Sequence, residues 1–313
     1  MLRHPVRALT GASAAVLLGA MLSACDITIG AAEVTLKEEK RFTVAGQASL
    51  DLSTFDGSIQ VRGWDRNEVL VEVVKHGRDQ AIVDQIAVSA TQKNGTITIE
   101  VSRPAIAEAV TWGTSPSASL VVTAPIQSAL VARSGDGSIT LTRLAGKVEL
   151  RTDDGSIRIT EVKGDLMART GDGSVRAEDF EGSADIETGD GSVSLEGIVR
   201  RLRLDTRDGS VQLRVREGSV MESDWSVTTG DGGMRIELPE GFSANLDATT
   251  GDGRIVIDDL RGGRPERAEE ERATRSDEER SERARRSARI ALGAGGRSLT
   301  LRSGDGTITV RRR

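Results

Sequence analysis

A six-residue unit, Thr-Gly-Asp-Gly-Ser-Val, stands at residues 170–175 and returns unchanged at residues 188–193. Units of the same kind, with an acid or amide followed by Gly, recur along most of the chain. A repeat of this length indicates a fold in which one small structural unit is stacked many times. The residues at the acid position, which are eighteen apart from Asp136 to Asp208, are Asp56, Asn94, Asp136, Asp154, Asp172, Asp190, Asp208, Asp231, Asp252 and Asp305.

Each unit is flanked by alternating apolar and polar residues. Around Asp172, the apolar positions are Leu166 and Ala168 before the acid and Val175 and Ala177 after it. Alternation with a period of two predicts two half-buried β-strands in each repeat, one on each side of a turn. A third apolar position, eight residues after the acid, predicts a short third side and holds Trp64, Leu144, Val162, Phe180, Ile198 and Leu260.

Two all-β architectures are compatible with this pattern. We predict a single-stranded β-helix, or β-solenoid, of about ten rungs with an eighteen-residue core period. Each repeat then forms one coil that lies about 4.8 Å above the last. The alternative is an array of antiparallel β-hairpins with Asp-Gly in type I′ turns. The solenoid is favoured because the third apolar position has no place in a simple hairpin, and because a sheet of about twenty hairpin strands exceeds the usual limit of roughly ten.

Outside the regular core the pattern is looser. Residues 69–74 are typical of an extra buried strand, and residues 79–86 of a short helix. Residues 261–289 contain ten Arg and eight acids and cannot bury a core. We predict that residues 1–24 are a lipoprotein signal peptide, 25–36 an anchor or linker, 37–125 the irregular N-terminal part of the solenoid, 126–260 the regular repeat, 261–289 a charged disordered or helical insertion, and 290–313 the final rung.

The first residues resemble a bacterial lipoprotein signal. Arg3 and Arg7 precede an apolar stretch too short to span a bilayer, and residues 22–25, Leu-Ser-Ala-Cys, match the lipobox. The resemblance implies that Cys25, the only Cys in the chain, is diacylated and becomes the mature N-terminus. The protein is then anchored to a bacterial membrane on its periplasmic or extracellular side. If the organism is Gram-negative, Asp26 implies retention in the inner membrane.

The composition leaves few groups for catalysis or for nucleic-acid binding. The net charge is −6 with no basic excess, so we predict no nucleic-acid partner. His76 is the only histidine after the predicted signal peptide, and the sequence has no G-x-S-x-G elbow and no G-x-x-x-x-G-K-[ST] loop. We therefore predict no catalytic residues, no cofactor and no enzymatic activity. The alternative is an envelope polysaccharide-active β-helix enzyme that uses a pair of carboxylates.

The repeated turn has two interpretations. In the first, Gly supplies a backbone with positive φ and Asp accepts hydrogen bonds from local N–H groups, so the turn is purely structural. In the second, the row of acids holds calcium between rungs, and the chain is a calcium-stabilised repeat protein. We predict the structural role and no metal. The calcium candidates that the second interpretation names are Asp136, Asp154, Asp172, Asp190 and Asp208.

Charged residues alternate with the buried ones and must lie on the outside of the repeats. The outward positions include two stripes, which hold Arg151, Arg169, Glu187 and Asp205 in one and Arg158 and Arg176 in the other. Such stripes are suited to an envelope protein or polysaccharide partner, whereas the simpler interpretation is that they are only solvated.

The repeats also resemble a known family. The stretches "LDLSTFDGSIQVRGWDRNEVLVEVVK" at residues 50–75 and "SLVVTAPIQSALVARSGDGSITLTRLAGKVELRTDDGSIRI" at residues 119–159, with the later T-G-D-G-S units, are similar to the "putative adhesin" family of bacterial β-strand-repeat proteins. The resemblance covers residues 33–260 and 290–313 and implies a right-handed β-helix-like fold in the cell envelope. We therefore predict a non-enzymatic, lipid-anchored envelope protein that serves as a β-solenoid scaffold or an adhesin-like binding surface. Its expected partners are the membrane, through lipidated Cys25, and an envelope protein or polysaccharide.

Overall fold

The computed structural model describes residues 24–29, 34–103, 115–258 and 286–313. About two thirds of these residues belong to β-strands, and the one helix among them, α1, is short and covers Gln80–Asp84. α1 falls inside the stretch for which the sequence predicts a helix. Asp79 caps it, since the Asp79 carboxylate accepts a hydrogen bond from the backbone N–H of Ile82 at 3.0 Å.

The strands form a β-solenoid with two sheets that share one core. Sheet A contains the strands that precede the repeated turns, and sheet B contains those that follow them. Ile157 of one rung lies beside Val175 of the next in a parallel ladder, and Val175 in turn lies beside Val193. Equivalent positions of successive repeats therefore stack directly. This confirms the solenoid, and the hairpin array is wrong as the general architecture.

Sheet A runs along the whole stack. Its first and last strands, β6 and β20, pair with their neighbours in the antiparallel direction, while the strands between them are parallel. From the N-terminal end its strands are β6 (Ala87–Lys93), β7 (Thr96–Ser102), β3 (Ala48–Thr54), β9 (Ser128–Ser134), β11 (Val148–Thr152), the second halves of β12 (Ile157–Thr170), β13 (Val175–Thr188) and β14 (Val193–Thr206), then β16 (Trp225–Thr229), β21 (Ser298–Ser303), β18 (Ala244–Thr250) and β20 (Ser287–Leu292).

Sheet B lies across the core from sheet A. Three antiparallel pairings at its N-terminal end join β1 to β2, β2 to β5 and β5 to β8, and the rest of the sheet is parallel. Its strands in spatial order are β1 (Ala24–Ile29), β2 (Val34–Thr43), β5 (Glu68–Gly77), β8 (Ser117–Pro125), β4 (Ile59–Trp64), β10 (Ile139–Ala145), the first halves of β12, β13 and β14, then β15 (Val211–Val215), β17 (Met234–Leu238), β22 (Ile308–Arg312) and β19 (Ile255–Asp258).

The rungs do not follow chain order at either end of the stack. Near the N-terminus, the rung of β3 and β4 lies between the rung of β7 and β8 and the rung of β9 and β10. Near the C-terminus, β21 and β22 lie between the rung of β16 and β17 and the rung of β18 and β19. Residues 290–313 thus contain the last rung along the chain, as the repeat predicts, but not the last rung in space.

The Asn94 unit does not form a solenoid turn, and its assignment to the stacked series is wrong. It joins β6 to β7, which pair in the antiparallel direction. Asn94 and Gly95 have φ values of 52° and 80°, as a two-residue turn with both residues in the left-handed region requires. The hairpin alternative is therefore correct for this one of the ten predicted turns. In the outer rung, β7 is connected to β8 through residues 103–116, most of which lie outside the described residues.

The predicted third side is a tight corner that turns the chain from sheet B back to sheet A. Arg143, Glu161 and Asp179 have φ values of 60°, 56° and 51°, in the left-handed region. Each is followed by a buried residue of the predicted apolar column, namely Leu144, Val162 and Phe180.

The column then shifts by one residue. Phe180 pairs with Gly197 rather than with Ile198, so Val199 is the buried residue of the next corner and Ile198 is half-buried. Trp64 is also half-buried, and Leu260 lies outside the described residues. The prediction for this column is therefore correct for the central rungs and wrong for Ile198.

Candidate functional site: the turn row and the two sheet faces

The turn row is held together by the Thr before each turn. The Oγ1 of Thr170 donates a hydrogen bond to the carbonyl oxygen of Gly155 in the previous rung, at 2.9 Å, and accepts one from the N–H of Gly173 in its own turn, at 3.2 Å. Because the hydroxyl both donates and accepts, it links two rungs and satisfies a buried backbone group. The same pair of bonds is made by Thr152, Thr206, Thr229, Thr250 and Ser303.

The second Gly of each turn is required by the close approach of the neighbouring rung. A Cβ atom on Gly173 would lie 2.1 Å from the carbonyl oxygen of Gly155, and one on Gly191 would lie 2.1 Å from that of Gly173. Neither residue has a positive φ. The prediction that Gly is present for a left-handed backbone is thus wrong at these positions, because the constraint comes from stacking.

The turn acids point to solvent. Asp136, Asp154, Asp172, Asp190 and Asp208 are all exposed. Within the described residues, their carboxylates accept no hydrogen bond from a backbone N–H, so the predicted local bonding is not observed and the Thr hydroxyl takes that role. In the part of the chain that the structure describes, no three His, Cys, Asp or Glu residues are grouped so that they could hold a metal ion.

The outer face of sheet A, called the A face below, carries a block of charges. In the ladder from β11 to β14, Arg151, Arg169, Glu187 and Asp205 stand side by side on adjacent rungs, as the sequence predicts. A groove of about 640 Å³ runs along this row. Arg169 and Glu187 form an ion pair of 3.1 Å, whereas Arg151 and Asp205 form none within the described residues.

Asp205, on the A face, has a pKa above the usual range for an aspartate. Its partial burial raises the pKa of the carboxyl, and the nearby charges of Glu187 and Asp185 raise it further against the opposing effect of Arg203. A carboxylate in this environment is short of positive charge.

The outer face of sheet B, by contrast, is compensated by a ladder of ion pairs. Arg216 contacts Asp179 and Glu196, both at 2.6 Å, and Arg214 joins Glu196 at 2.9 Å to Glu237 at 2.7 Å. These contacts link four successive rungs. Hydrogen bonding from Arg216, with a further contribution from Arg214, outweighs burial and lowers the pKa of Glu196.

The second predicted stripe, on sheet B, is less distinctive. Arg158 and Arg176 are neighbours on adjacent rungs and both are exposed. Arg176 pairs with Glu178 at 2.6 Å, and Arg158 has no ion pair among the described residues.

The remaining candidates are scattered over the molecule. The Nδ1 atom of His76 lies 3.0 Å from the hydroxyl of Thr35, at the N-terminal end of sheet B. Cys25 belongs to β1, whose backbone pairs it with Glu38, but its side chain is outside what the structure describes. Residues 1–23 are also outside it, so lipidation remains a prediction. No helix in the described ranges is long and apolar enough to cross a membrane.

Most of the charged insertion, residues 261–285, lies outside the described residues. Its end is ordered, because β20 begins at Ser287 and covers the outer edge of β18. Two ion pairs accompany this contact, Arg286 with Asp252 at 3.3 Å and Arg289 with Asp247 at 3.4 Å. The last residues assigned to a disordered or helical insertion therefore form a strand.

Three solved structures are similar to this chain. A "putative cell adhesion protein" from Clostridium sporogenes is 10% identical, with a TM-score of 0.26 over 88% of this chain and 100% of that chain. A "putative adhesin" from Bacteroides fragilis is 10% identical, with a TM-score of 0.35 over 88% and 97%. A "putative lipid binding protein" from Parabacteroides distasonis is 10% identical, with a TM-score of 0.39 over 88% and 96%.

No curated protein matches the chain significantly. The family model described as Toastrack DUF4097 matches residues 23–311, which include both sheets, the turn row and both end caps. The β-strand repeats thus have the family membership that their sequence predicts, and the chain belongs to the Toastrack DUF4097 family.

Proposed function

We propose that this protein is a non-enzymatic, lipid-anchored scaffold of the bacterial cell envelope that binds a partner with the side faces of its solenoid. The proposal rests on the different roles of the inner and the outward residues of each repeat. The residues that recur in nearly every unit, Thr and Gly, stack one rung on the next. The outward residues of the sheets vary from rung to rung, and it is these that can give a surface specificity.

The position of Cys25 supports the anchoring part of the proposal. β1 begins at Ala24 and is the first strand of sheet B, so an acyl chain on Cys25 would hold the N-terminal end of the solenoid close to the bilayer. Residues 25–36, predicted as an anchor or linker, include β1 and the start of β2. The stack, at about 4.8 Å per rung, would then extend away from the membrane with both faces accessible.

Metabolic labelling with a palmitate analogue tests the anchor. In intact bacteria we expect label on the mature chain that begins at Cys25, and recovery of this chain with the membrane fraction. The Cys25→Ala variant should lose both. Membrane recovery of the unlabelled variant would contradict lipid anchoring.

Site-specific photo-crosslinking in intact cells tests the binding surface. A crosslinking amino acid at Glu187 on the A face should give a discrete adduct, whereas the same group at Ser192 in the turn row should not. Equal adducts at both positions, or none at either, would argue against partner binding through this sheet face.

A further inference from the structure

Two rungs of the A face carry charges of opposite sign at three successive outward positions. On β11 and the turn after it, the outward residues alternate acid, base, acid. On β14 and its turn, the residues at the same three positions alternate base, acid, base. These two triplets are Glu149, Arg151 and Asp153 on the first rung and Arg203, Asp205 and Arg207 on the second.

The rungs between them continue the pattern at the central position only, because their flanking outward positions hold Met167 and Asp185 on one side and Gly171 and Gly189 on the other. β12 and β13 lie between β11 and β14, and their outward residues at the central position are Arg169 and Glu187. The central row therefore has two bases followed by two acids, with the change of sign between β12 and β13. A line drawn along the strands at that boundary divides the central row into two bases and two acids.

The end charges of the central row, Arg151 and Asp205, do not reach each other within one molecule. Arg151 and Asp205 are three rung spacings apart, or about 14 Å. Neither forms an ion pair in the part of the chain that the structure describes, and the same is true of Glu149, Asp153 and Arg203. Arg207 reaches only the neighbouring Asp190, at 3.7 Å, and its side chain is 75% exposed.

We infer that the A face is a self-association surface, on which a second copy of this chain docks about a two-fold axis parallel to the strands between β12 and β13. This rotation reverses the order of the rungs across the interface. It places Arg151 opposite Asp205 of the second copy and Arg169 opposite Glu187 of the second copy. Each contact occurs twice, as in any isologous interface.

The flanking triplet positions match in the same way. Glu149 meets Arg203 of the second copy, and Asp153 meets Arg207 of the second copy. Asp205 stands beside Glu187 on the next rung of its own molecule, and it forms no ion pair with a described residue. An arginine from the second copy would supply the missing positive charge.

The balance of signs favours a second copy over a charged polymer. A polyanion along the central row would be attracted by Arg151 and Arg169 but repelled by Glu187 and Asp205, and a polycation would meet the reverse. The contact area cannot extend beyond the three matched positions, because the next residues carry like charges. Lys147 would face Arg201 of the second copy, and Asp154 would face Asp208 of the second copy.

The dimer should be weak and reversible. Four rungs and three outward positions present roughly 400 Å² per copy, or about 800 Å² in all, which is below the size of a stable interface. Because the contacts are ion pairs at the surface, added salt should weaken them.

Charge exchange between copies tests the inference. The experiment is sedimentation equilibrium of the full chain in mild detergent over a wide range of protein concentration. The wild type should show a monomer–dimer equilibrium. Arg151→Asp and Asp205→Arg, each alone, should weaken it by about tenfold or more, because each places like charges in two symmetric contacts.

An equimolar mixture of the two variants should associate again as a heterodimer. In the mixture, Asp at position 151 faces Arg at position 205, and the unchanged Arg151 faces the unchanged Asp205. The matched control is Arg158→Asp on sheet B, which makes the same change of charge and should leave the equilibrium unchanged. Circular dichroism checks that each variant is folded.

Three results would overturn the inference. They are a wild type that stays monomeric at every concentration, folded variants that do not associate when mixed, and an Arg158→Asp variant that weakens the dimer as much as Arg151→Asp.

Discussion

At the scale of the residue, the Thr before each turn contributes more to the fold than the Asp that makes the repeat visible. Thr170 is buried and its hydroxyl makes two hydrogen bonds that join adjacent rungs. Asp172 is exposed and makes no hydrogen bond with a described backbone N–H. The central turns all combine a buried Thr with an exposed Asp. The repeated residues of the sequence are therefore of two kinds: those that join the rungs and those that are only solvated.

Replacement of Thr170 by Val should destabilise the protein. The shape of the side chain is kept, but the N–H of Gly173 and the carbonyl of Gly155 lose a partner in a buried place. We expect a loss of about 1–3 kcal/mol in the free energy of unfolding, measured by denaturant titration. Thr140→Val, at a half-buried outward site without a side-chain hydrogen bond among the described residues, is the control and should cost less. Equal effects of the two changes would contradict the role of the hydroxyl.

Replacement of Gly173 by Ala should be more damaging. Its Cβ would lie 2.1 Å from the carbonyl oxygen of Gly155, so the two rungs would have to separate. We expect a loss of about 3 kcal/mol, near the upper end for ordinary substitutions. Gly233→Ala provides the comparison, because its Cβ would lie 3.4 Å from the nearest atom, the carbonyl oxygen of Thr307, and fits without a clash. A mild effect at Gly173 would show that stacking does not require Gly there.

The turn acids should not make the fold dependent on calcium. They are exposed, and the described residues bring no third acidic or His ligand to any of them. We therefore expect the melting temperature to be the same with excess calcium and with a chelator. A saturable rise with calcium that the Asp172→Asn variant reduces would contradict this and support the calcium-stabilised alternative.

At the scale of the element, the outer faces of the two sheets differ in how their charges are satisfied. Sheet B uses arginines from one rung to bridge acids of its neighbours, as Arg214 does between Glu196 and Glu237. On sheet A, Arg133 pairs with Asp51, Arg169 with Glu187 and Arg201 with Glu222, but each of these pairs joins one base to one acid and leaves Arg151 and Asp205 without an ion pair among the described residues. Sheet B is thus built as a closed ladder, while the A face leaves charges available to another molecule.

The sheet B ladder should make stability depend on pH through Glu196. Hydrogen bonds from Arg216 and the charge of Arg214 lower the pKa of Glu196 in the folded state. Its contribution is therefore present above the unfolded pKa and is lost as the pH falls through the lowered folded pKa. We expect Glu196→Gln to cost about 1 kcal/mol at neutral pH and progressively less in acid, measured by denaturant unfolding at several pH values.

Glu217→Gln serves as the control for this series. Glu217 is exposed and forms no ion pair with a described residue, so its replacement should have little effect at any pH. A cost for Glu196→Gln that stays constant down to strongly acidic pH would contradict the electrostatic origin.

The strands themselves were predictable because their signal lies within one repeat. Leu166, Ala168, Val175 and Ala177 alternate with polar residues, and all four are buried. The corners were only partly predictable. A charged residue such as Glu161 gives no sign in the sequence that its φ is 56°, because non-Gly residues seldom adopt a positive φ.

At the scale of the whole molecule, the order of the rungs could not be derived from the sequence. Trp225, Leu299 and Leu246 occupy the same buried column on three neighbouring strands, β16, β21 and β18. Since each column accepts the same class of residue, the pattern identifies a rung but not its neighbours. The complementary charges of the A face were hidden for the same reason, because they become apparent only once the register of four rungs is known.

The rung order predicts an unusual pattern of hydrogen exchange. β21 and β22 contain the last residues of the chain, yet each is covered by a parallel strand on both sides. β19 pairs with β22 alone among the described residues, and its side chains are half-buried. Backbone amides between two strands exchange their hydrogens only when the sheet opens, whereas amides of an edge strand exchange when that strand opens locally.

We therefore expect peptides from residues 298–312 to exchange as slowly as those of β16 and β17, and a peptide from residues 253–258 to exchange faster. Mass spectrometry of the full chain makes this comparison within one sample. A solenoid stacked in chain order would have its fastest exchange at residues 298–312, and that result would contradict the intercalated rung.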